Sequence, residues 1–316
     1  KNTKPIFYLA IILTVCASGF FLYRHKSAKA DLRYNKYGLE TNIVFSKWNS
    51  FSRISLQSEA APRTIVSLSP KFGNMNYRGR QMGISTDADA YSPVLEYDGK
   101  PDSVTFLTHD LSAAAYKITK PGRALIIGPG GGRDLLIGFL HNYQIKGVDV
   151  NPIIVNDLMK DRLKEFSGNI YNQPGIDVVV NEGRSFVQRD QTKYEVINLP
   201  LVDTWASTVA GNLSLVEGYL YTVEAFRDYL RHLSPGGVLT ISRWFIDGDR
   251  LVSLFTAAAK QMGIKDPESH VIVMSRYYEN RGPWLNNYLF SAAPFTQDQI
   301  RLADNFAREN GFVVTY

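Results

Sequence analysis

Arg123 to Asp134, RALIIGPGGGRD, is the stretch whose reading decides the fold. Ala124-Leu125-Ile126-Ile127 is a short apolar run of the kind that forms a buried strand. It breaks into Gly128-Pro129-Gly130-Gly131-Gly132, and an apolar helical pattern then starts after Arg133-Asp134 with Leu135, Leu136, Phe139 and Leu140. The spacing predicts strand, glycine turn and helix. Glycines allow a tight turn and a close backbone approach to a ligand, with free N–H groups at the helix start. The same turn also serves as a plain connection with no ligand.

The residues downstream favour a ligand. Gln144 to Val150 reads as a second strand with Asp149 at its C-terminal end, about twenty residues past the glycines, where a doubly wound sheet places a carboxylate for ribose hydroxyls. Asn151-Pro152 reads as N-cap and first residue of a helix. A third strand, Ile176 to Val180, ends at Asn181-Glu182-Gly183. A fourth, Tyr194 to Leu199, ends at Pro200-Leu201-Val202-Asp203. In a parallel sheet these strand ends share one edge, where the ligand crevice lies. Gly128, Gly130, Gly131, Gly132, Asp134, Asp149, Glu182 and Gly183 are therefore the candidate nucleoside-binding residues. Each carboxylate taken alone reads first as a capped or solvated loop residue, and it is the set that points to a ligand.

Working outward, Ser234-Pro235-Gly236-Gly237 turns into a fifth strand, Val238 to Ser242, and amphipathic helices are expected over Thr222 to Leu233 and Asp249 to Met262. His270 to Met274 and Tyr288 to Ser291 read as a closing strand pair around an aromatic loop containing Tyr277, Tyr278 and Trp284. Thr296 with Gln299 makes a capping box for a last helix that stops at Gly311, and Phe312 to Thr315 starts another strand. Thr204 to Glu217 is a long loop rich in small residues, a length that usually serves a function. The fold class expected is α/β, a doubly wound Rossmann-like sheet of the class I methyltransferase type, over residues 121–316.

Residues 31–120 read as a small β domain. Its short strands are Asn42 to Ser46, Arg53 to Leu56, Thr64 to Leu68, Gln81 to Ser85 and Pro93 to Tyr97, followed by a helix over Thr105 to Tyr116. Residues 1–30 hold the uncharged run Pro5 to Tyr23, about nineteen residues long, which suits a transmembrane helix. A cleaved signal peptide and a lipoprotein cysteine at Cys16 are the alternatives. The basic flank that follows, with Arg24, Lys26, Lys29 and Arg33, places the main domain in the cytoplasm on the inner membrane by the positive-inside rule. The missing initiator Met suggests part of a longer membrane protein.

Of the 316 residues, 45% are hydrophobic and 21% charged, an ordinary globular balance. The net charge of +5 is concentrated near the N-terminus, and no aromatic-and-basic stripe argues for nucleic acid. A single cysteine excludes an internal disulfide framework, and the five histidines have no metal-ligand spacing, so no metal is expected.

The order of parts over roughly Tyr37 to Ala293 resembles the spermidine synthase-like (polyamine aminopropyltransferase) family, and in particular its membrane-attached bacterial branch. ALIIGPGGGRD stands at that family's glycine loop, Asp149 at its ribose acid, Glu182-Gly183 at its adenine clasp, YEVINLPLVDTW at its catalytic loop and LSPGGVLTI at its fifth strand. The resemblance implies an adenosyl sulfonium donor, decarboxylated S-adenosylmethionine or S-adenosylmethionine itself, and a homodimer. The sequence departs from the family at three places. Pro200 stands where the first catalytic acid is expected, leaving Asp203 as the catalytic candidate; Gly131 stands at the acid of the glycine loop; and Leu107-Thr108 replaces an aromatic-Gln pair. Proline can neither accept a proton nor attract an amine.

Transfer from a sulfonium depends mainly on alignment of a nucleophile, with a base if that nucleophile is protonated. Asp203, Glu217 and Asp110 are the candidate acids; Trp205, Tyr219, Tyr221 and Trp244 are candidate pocket residues, for which core packing is an equal reading. Arg184 reads either as a neighbour of the adenine or as a solvated turn residue, and Arg243-Trp244 follows the fifth strand, where the acceptor would lie. Three functions remain open on the sequence: a membrane-anchored transferase moving an aminopropyl-type group to an amine acceptor, an S-adenosylmethionine-dependent methyltransferase, and a non-catalytic nucleoside-binding domain.

Overall fold

The computed structural model describes residues 4–26, 34–35, 38–50, 52–60, 65–72, 77, 79–87, 90–202, 218–278 and 282–316. The first element, α1 (Lys4–Lys26), is a continuous helix. Within its 20-residue Lys4–Tyr23 portion the mean hydropathy reaches 2.2 over an 18-residue window, long and apolar enough to cross a bilayer. Large apolar side chains such as Ile6, Phe7, Leu13 and Phe21 are exposed along it.

A two-residue hairpin, β1 (Tyr34–Asn35) and β2 (Gly38–Leu39), leads into a four-stranded antiparallel sheet. Its strands are β3 (Ile43–Trp48), β4 (Arg53–Ala60), β5 (Gln81–Thr86) and β6 (Ala90–Leu95), paired in chain order. At its start Glu40 is buried against Arg53 at 2.6 Å, with the Ser55 hydroxyl donating to the same carboxylate. A carboxylate buried there is tolerable because both of its oxygens are paired.

Two expectations for this region are corrected. Ile65 to Leu68 is a turn rather than a strand, with one bridge from Leu68 to Asp110; Thr64 lies outside the described residues. The Ser67 hydroxyl donates to Asp110 and its carbonyl accepts from the Leu111 N–H, so local polar bonds take the place of a strand ladder. The helix expected over Thr105 to Tyr116 is three short pieces: 3₁₀ turns at Pro101–His109 and Leu111–Ala113, then α2 (Ala114–Ile118). Asp110 makes the break, because its backbone is extended and its carboxylate caps the Ser112 N–H.

The main sheet follows the strand-helix alternation. Its first half comprises β7 (Arg123–Ile127), α3 (Arg133–Leu140), β8 (Gln144–Asp149), β9 (Ile176–Val180), α4 (Gly183–Arg189) and β10 (Tyr194–Leu199). The second half comprises α5 (Val223–Arg231), β11 (Leu233–Trp244), α6 (Gly248–Gln261), β12 (Val271–Tyr278), β13 (Gly282–Phe290), α7 (Gln297–Asn310) and β14 (Val313–Val314). The strand order is β14-β12-β13-β11-β10-β7-β8-β9. The strands from β9 to β11 run parallel, and β13, β12 and β14 add antiparallel neighbours. Order reverses between β7 and β10, so the crevice at the C-terminal edge opens there.

Three smaller differences concern boundaries. The helix after Asn151-Pro152 is a wide, π-type helix over Ile153–Arg162, with the Asn151 side chain accepting from the Ile153 N–H. The fifth strand starts earlier than expected, at Leu233, and kinks at Gly236. Tyr277, Tyr278 and Trp284 belong to the ends of β12 and β13 rather than to a loop. The capping box at Thr296 and the left-handed stop at Gly311 form as the sequence predicts.

Each face of the sheet has its own core. On one, Leu125, Ile127, Phe226, Tyr229, Phe255 and Phe290 pack under α5 and α6. On the other, a single cluster runs from Ile54, Leu56 and Val94 of the small sheet through Leu107 and Leu111 to Ile126, Leu135 and Val196. The small sheet is therefore packed onto the main one, and its β6 reaches the glycine loop.

Candidate nucleoside site at the strand ends

The glycine loop is shaped by what it touches. Gly132 precedes α3 with φ +87°, a left-handed conformation that glycine adopts freely. Gly131 is a glycine for a different reason. A Cβ there would stand 2.1 Å from the Pro93 carbonyl oxygen, so β6 leaves no room for any side chain. The Gly131 N–H donates to the Ser92 hydroxyl at 2.7 Å, and the Tyr171 hydroxyl donates to the Gly130 carbonyl at 2.6 Å.

Asp149 ends β8 and is buried. Its carboxylate accepts from the Asn151 N–H at 2.9 Å and from the Gly130 N–H at 3.3 Å, so it lies beside the loop. Burial raises its pKa; those two N–H bonds pull the other way. Asn151 is in turn held by the small sheet: Asn49 donates to its carbonyl oxygen at 3.0 Å, and it donates to the Ser52 hydroxyl at 2.9 Å.

Glu182 caps α4, accepting from the Arg184 N–H at 2.9 Å and the Ser185 N–H at 2.7 Å. A Cβ on its neighbour Gly183 would stand 2.5 Å from Ile127, so the chain passes tightly against the β7 end. Arg184 pairs with Asp228 at 3.4 Å.

Asp134 takes a different part from the one its position suggested. Its carboxylate is turned into a buried network, accepting from Arg133 Nη2 at 2.9 Å, the Ser112 hydroxyl at 3.1 Å and Asn198 Nδ2 at 3.2 Å. Asp110, also buried, accepts from the Ser67 and Ser112 hydroxyls and lies 4.0 Å from Arg133. Burial disfavours the Arg133 charge, but the two aspartates outweigh it and hold the guanidinium protonated. This network anchors the base of α3.

On the other side of the switch point, Pro200 ends β10 in a buried position. Tyr221 is buried, with its hydroxyl 3.3 Å from the Val202 carbonyl, and the Arg243 guanidinium lies 5.0 Å over its ring and donates to the same carbonyl. Tyr219 is exposed; Trp244 is half-buried and meets Trp284 edge-to-face at 5.7 Å. Asp203, Trp205 and Glu217 lie outside the described residues. Among the described residues no group of three His, Cys, Asp or Glu side chains converges as a metal would need.

The structure thus brings the glycine loop, Asp149, Glu182 and Gly183 to one edge. Sequence reasoning missed Ser92, Pro93, Asn49, Ser52 and Tyr171, which pack on the loop and on Asp149's neighbour. No periodicity marks them, because they lie outside the strand-helix pattern of the main sheet: Ser92 and Pro93 on β6, Asn49 and Ser52 between β3 and β4, and Tyr171 in a 3₁₀ turn before β9.

No family model matches the chain. It is 29% identical over 121 residues to polyamine aminopropyltransferase 2 of Hyperthermus butylicus, covering 38% of this chain and 37% of that one. It is 27% identical over 175 residues to polyamine aminopropyltransferase 2 of Pseudomonas aeruginosa, covering 52% and 48%. The matches span about half or less of those relatives. A crystal structure of spermidine synthase in complex with the transition state analogue AdoDATO superposes over 87% of this chain and 80% of that one, with a TM-score of 0.51 at 16% identity. In its fold the chain is spermidine synthase-like. That likeness covers the small β sheet and the main sheet together, the two parts that meet at Gly131.

Proposed function

We propose that this spermidine synthase-like chain is a transferase that takes an adenosyl sulfonium nucleoside as alkyl donor and passes an aminopropyl-type group to an amine. The observation that carries this reading is the placement of Asp149 against the Gly130 N–H at the switch point, with Glu182-Gly183 at the next strand end. An ionised carboxylate there is acceptor-only, which suits a ribose diol. The names of the relatives and the analogue held by the spermidine synthase support the donor class. The remaining barrier is alignment of a nucleophile about 3 Å from the carbon and removal of its proton. Asp203 is the base in this reading, with Glu217, Trp205, Tyr219, Tyr221 and Trp244 around the acceptor.

One observation favours S-adenosylmethionine and methyl transfer as a second reading. Position 131 has no space for a carboxylate, so the glycine loop offers nothing acidic to a donor whose tail carries only an ammonium. A tail that also carries a carboxylate sits better at a helix N-terminus.

The 20-residue apolar helix makes the chain membrane-anchored in this proposal, and the basic residues after it place the catalytic part on the cytoplasmic side. A homodimer is part of the same reading, by analogy with the family. Calorimetric titration of the detergent-solubilised full chain with S-adenosylmethionine, its decarboxylated form and methylthioadenosine tests it. Preference for the decarboxylated donor supports aminopropyl transfer; preference for S-adenosylmethionine moves the chain to methyl transfer; binding of none removes the nucleoside assignment.

A further inference from the structure

We propose that the C-terminal edge of the main sheet, where the crevice opens, seats on the surface of the bilayer through an aromatic rim. The inference rests on the membrane-anchored reading of α1 and goes beyond it by assigning which face of the body meets the membrane.

The rim is contiguous in the fold. β11 ends at this edge with Trp244, and Phe245 and Ile246 follow at once, exposed by 52% and 78%. β13 is antiparallel to β11 and begins at the same edge; Leu285 is the register partner of Trp244, and Trp284 beside it is 42% exposed. β12 ends there too, with the exposed Tyr277 opposite Pro283. Five large apolar side chains on one rim are what a folded chain ordinarily hides. Trp and Tyr with short apolar neighbours are also the side chains that favour the headgroup level of a bilayer.

The tether enters on this same edge. Residues 27–33 separate α1 from β1, and Tyr34 pairs with Leu39, so the hairpin adds almost no reach. Glu40 follows and is fixed to Arg53, whose neighbour Ser52 bonds Asn151 just beyond the C-terminal end of β8. At about 3.5 Å per extended residue, the end of α1 lies within roughly 30 Å of Tyr34, which its pairing with Leu39 and the Glu40–Arg53 and Ser52–Asn151 contacts join to that point. A domain of this size is on the order of 50 Å across. With α1 in a bilayer, the C-terminal edge is therefore the near edge, and the rim is the apolar surface it presents.

The test uses the full chain reconstituted in phosphatidylcholine vesicles, with or without bromine on the acyl chains near the headgroup. Trp48→Phe with Trp205→Phe leaves Trp244 and Trp284 as the only tryptophans. Interfacial side chains sit about 5–10 Å into the headgroup boundary, within reach of the quencher, and an emission loss of about twofold is expected. A control with all four tryptophans changed to Phe and Lys120→Trp, just before β7 at the opposite edge, keeps its emission. Flotation reads the anchor separately. Chains that float with the vesicles but show equal emission from the rim and control tryptophans overturn the rim and leave the anchor standing. Chains that do not float overturn both.

Discussion

The two sides of the crevice are built differently. On the nucleoside side, the carboxylates sit at strand ends and are already hydrogen-bonded: Asp149 to Gly130 and Asn151, Glu182 to the first N–H groups of α4. The small sheet braces this side through Ser92, Pro93 and the Asn49-Ser52-Asn151 contacts. On the acceptor side, Pro200 carries no functional group, and Tyr221 and Arg243 are held by one carbonyl, that of Val202. In the proposed reading, the braced groups among the described residues are those that meet the adenosine, where all candidate donors are alike. The part that would distinguish acceptors has few fixed polar groups among the described residues.

The largest expected effect breaks the support of the nucleoside side. Arg133→Met leaves the buried Asp110 and Asp134 without their shared cation. Breaking a buried ion pair in this way costs roughly 3–5 kcal/mol, and urea unfolding reads it. A loss below about 1 kcal/mol would mean that the network does not anchor α3. Next is Gly131→Asp, the change that would restore an acid to the loop. With the Pro93 oxygen 2.1 Å from the new Cβ, either β6 or the loop must move. The expected cost is about 1–3 kcal/mol of stability, with no gain in affinity for a decarboxylated donor. A gain in that affinity at unchanged stability would show that β6 yields and that only the missing acid separates this chain from aminopropyl chemistry.

Most of the fold, and the placement of the glycine loop, Asp149 and Glu182-Gly183 at strand ends, are legible in the sequence, and the reasons are physical. The apolar run before Gly128, the acid after Val148 and the turn at Ser234-Pro235-Gly236-Gly237 are local signals, and each falls at a strand end in the structure. Sequence order places Asp134 next to the glycines, whereas the helix turn directs its carboxylate into the core toward Ser112 and Asn198. Ser92, Asn49 and Ser52 carry no local signal for the converse reason: their partners Gly131 and Asn151 lie 39, 102 and 99 residues away. Ile65 to Leu68 has strand composition, but Ser67 bonding to Asp110 outweighs propensity. Of the acceptor-side candidates, Asp203, Trp205 and Glu217 lie outside the described residues.

A smaller effect separates function from stability within the nucleoside side. Asp149→Asn removes a charged acceptor worth about 1.5–3 kcal/mol to a ribose hydroxyl, so affinity for adenosyl ligands falls by roughly 10- to 100-fold. Stability follows the opposite sign. Burial raises the folded pKa of Asp149, so its contribution is most favourable below the unfolded pKa and declines as pH rises through the folded one. The wild type therefore gains nucleoside affinity with rising pH over the range where Asp149 itself becomes less stabilising, and the Asn variant loses both slopes. Parallel titrations by calorimetry and thermal melting check this. Equal slopes in the variant would place the titrating group elsewhere.

The smallest structural effect tests the acceptor side. The Tyr221 hydroxyl donates a long bond, 3.3 Å, to the Val202 carbonyl, and Arg243 supplies a second donor to the same oxygen. Tyr221→Phe keeps the ring under Arg243 and leaves that carbonyl paired, so the loss of stability should be about 0.5 kcal/mol. A Tyr221 that only packs would show this small change and unaltered turnover. A Tyr221 that positions the β10 end for an acceptor would raise KM for the amine while the Kd for the nucleoside stays the same. Because the variant scarcely touches the fold, a shift in KM of several-fold would assign the effect to the acceptor side alone, and the contrast between a braced donor half and a sparsely fixed acceptor half would then rest on kinetics as well as on geometry.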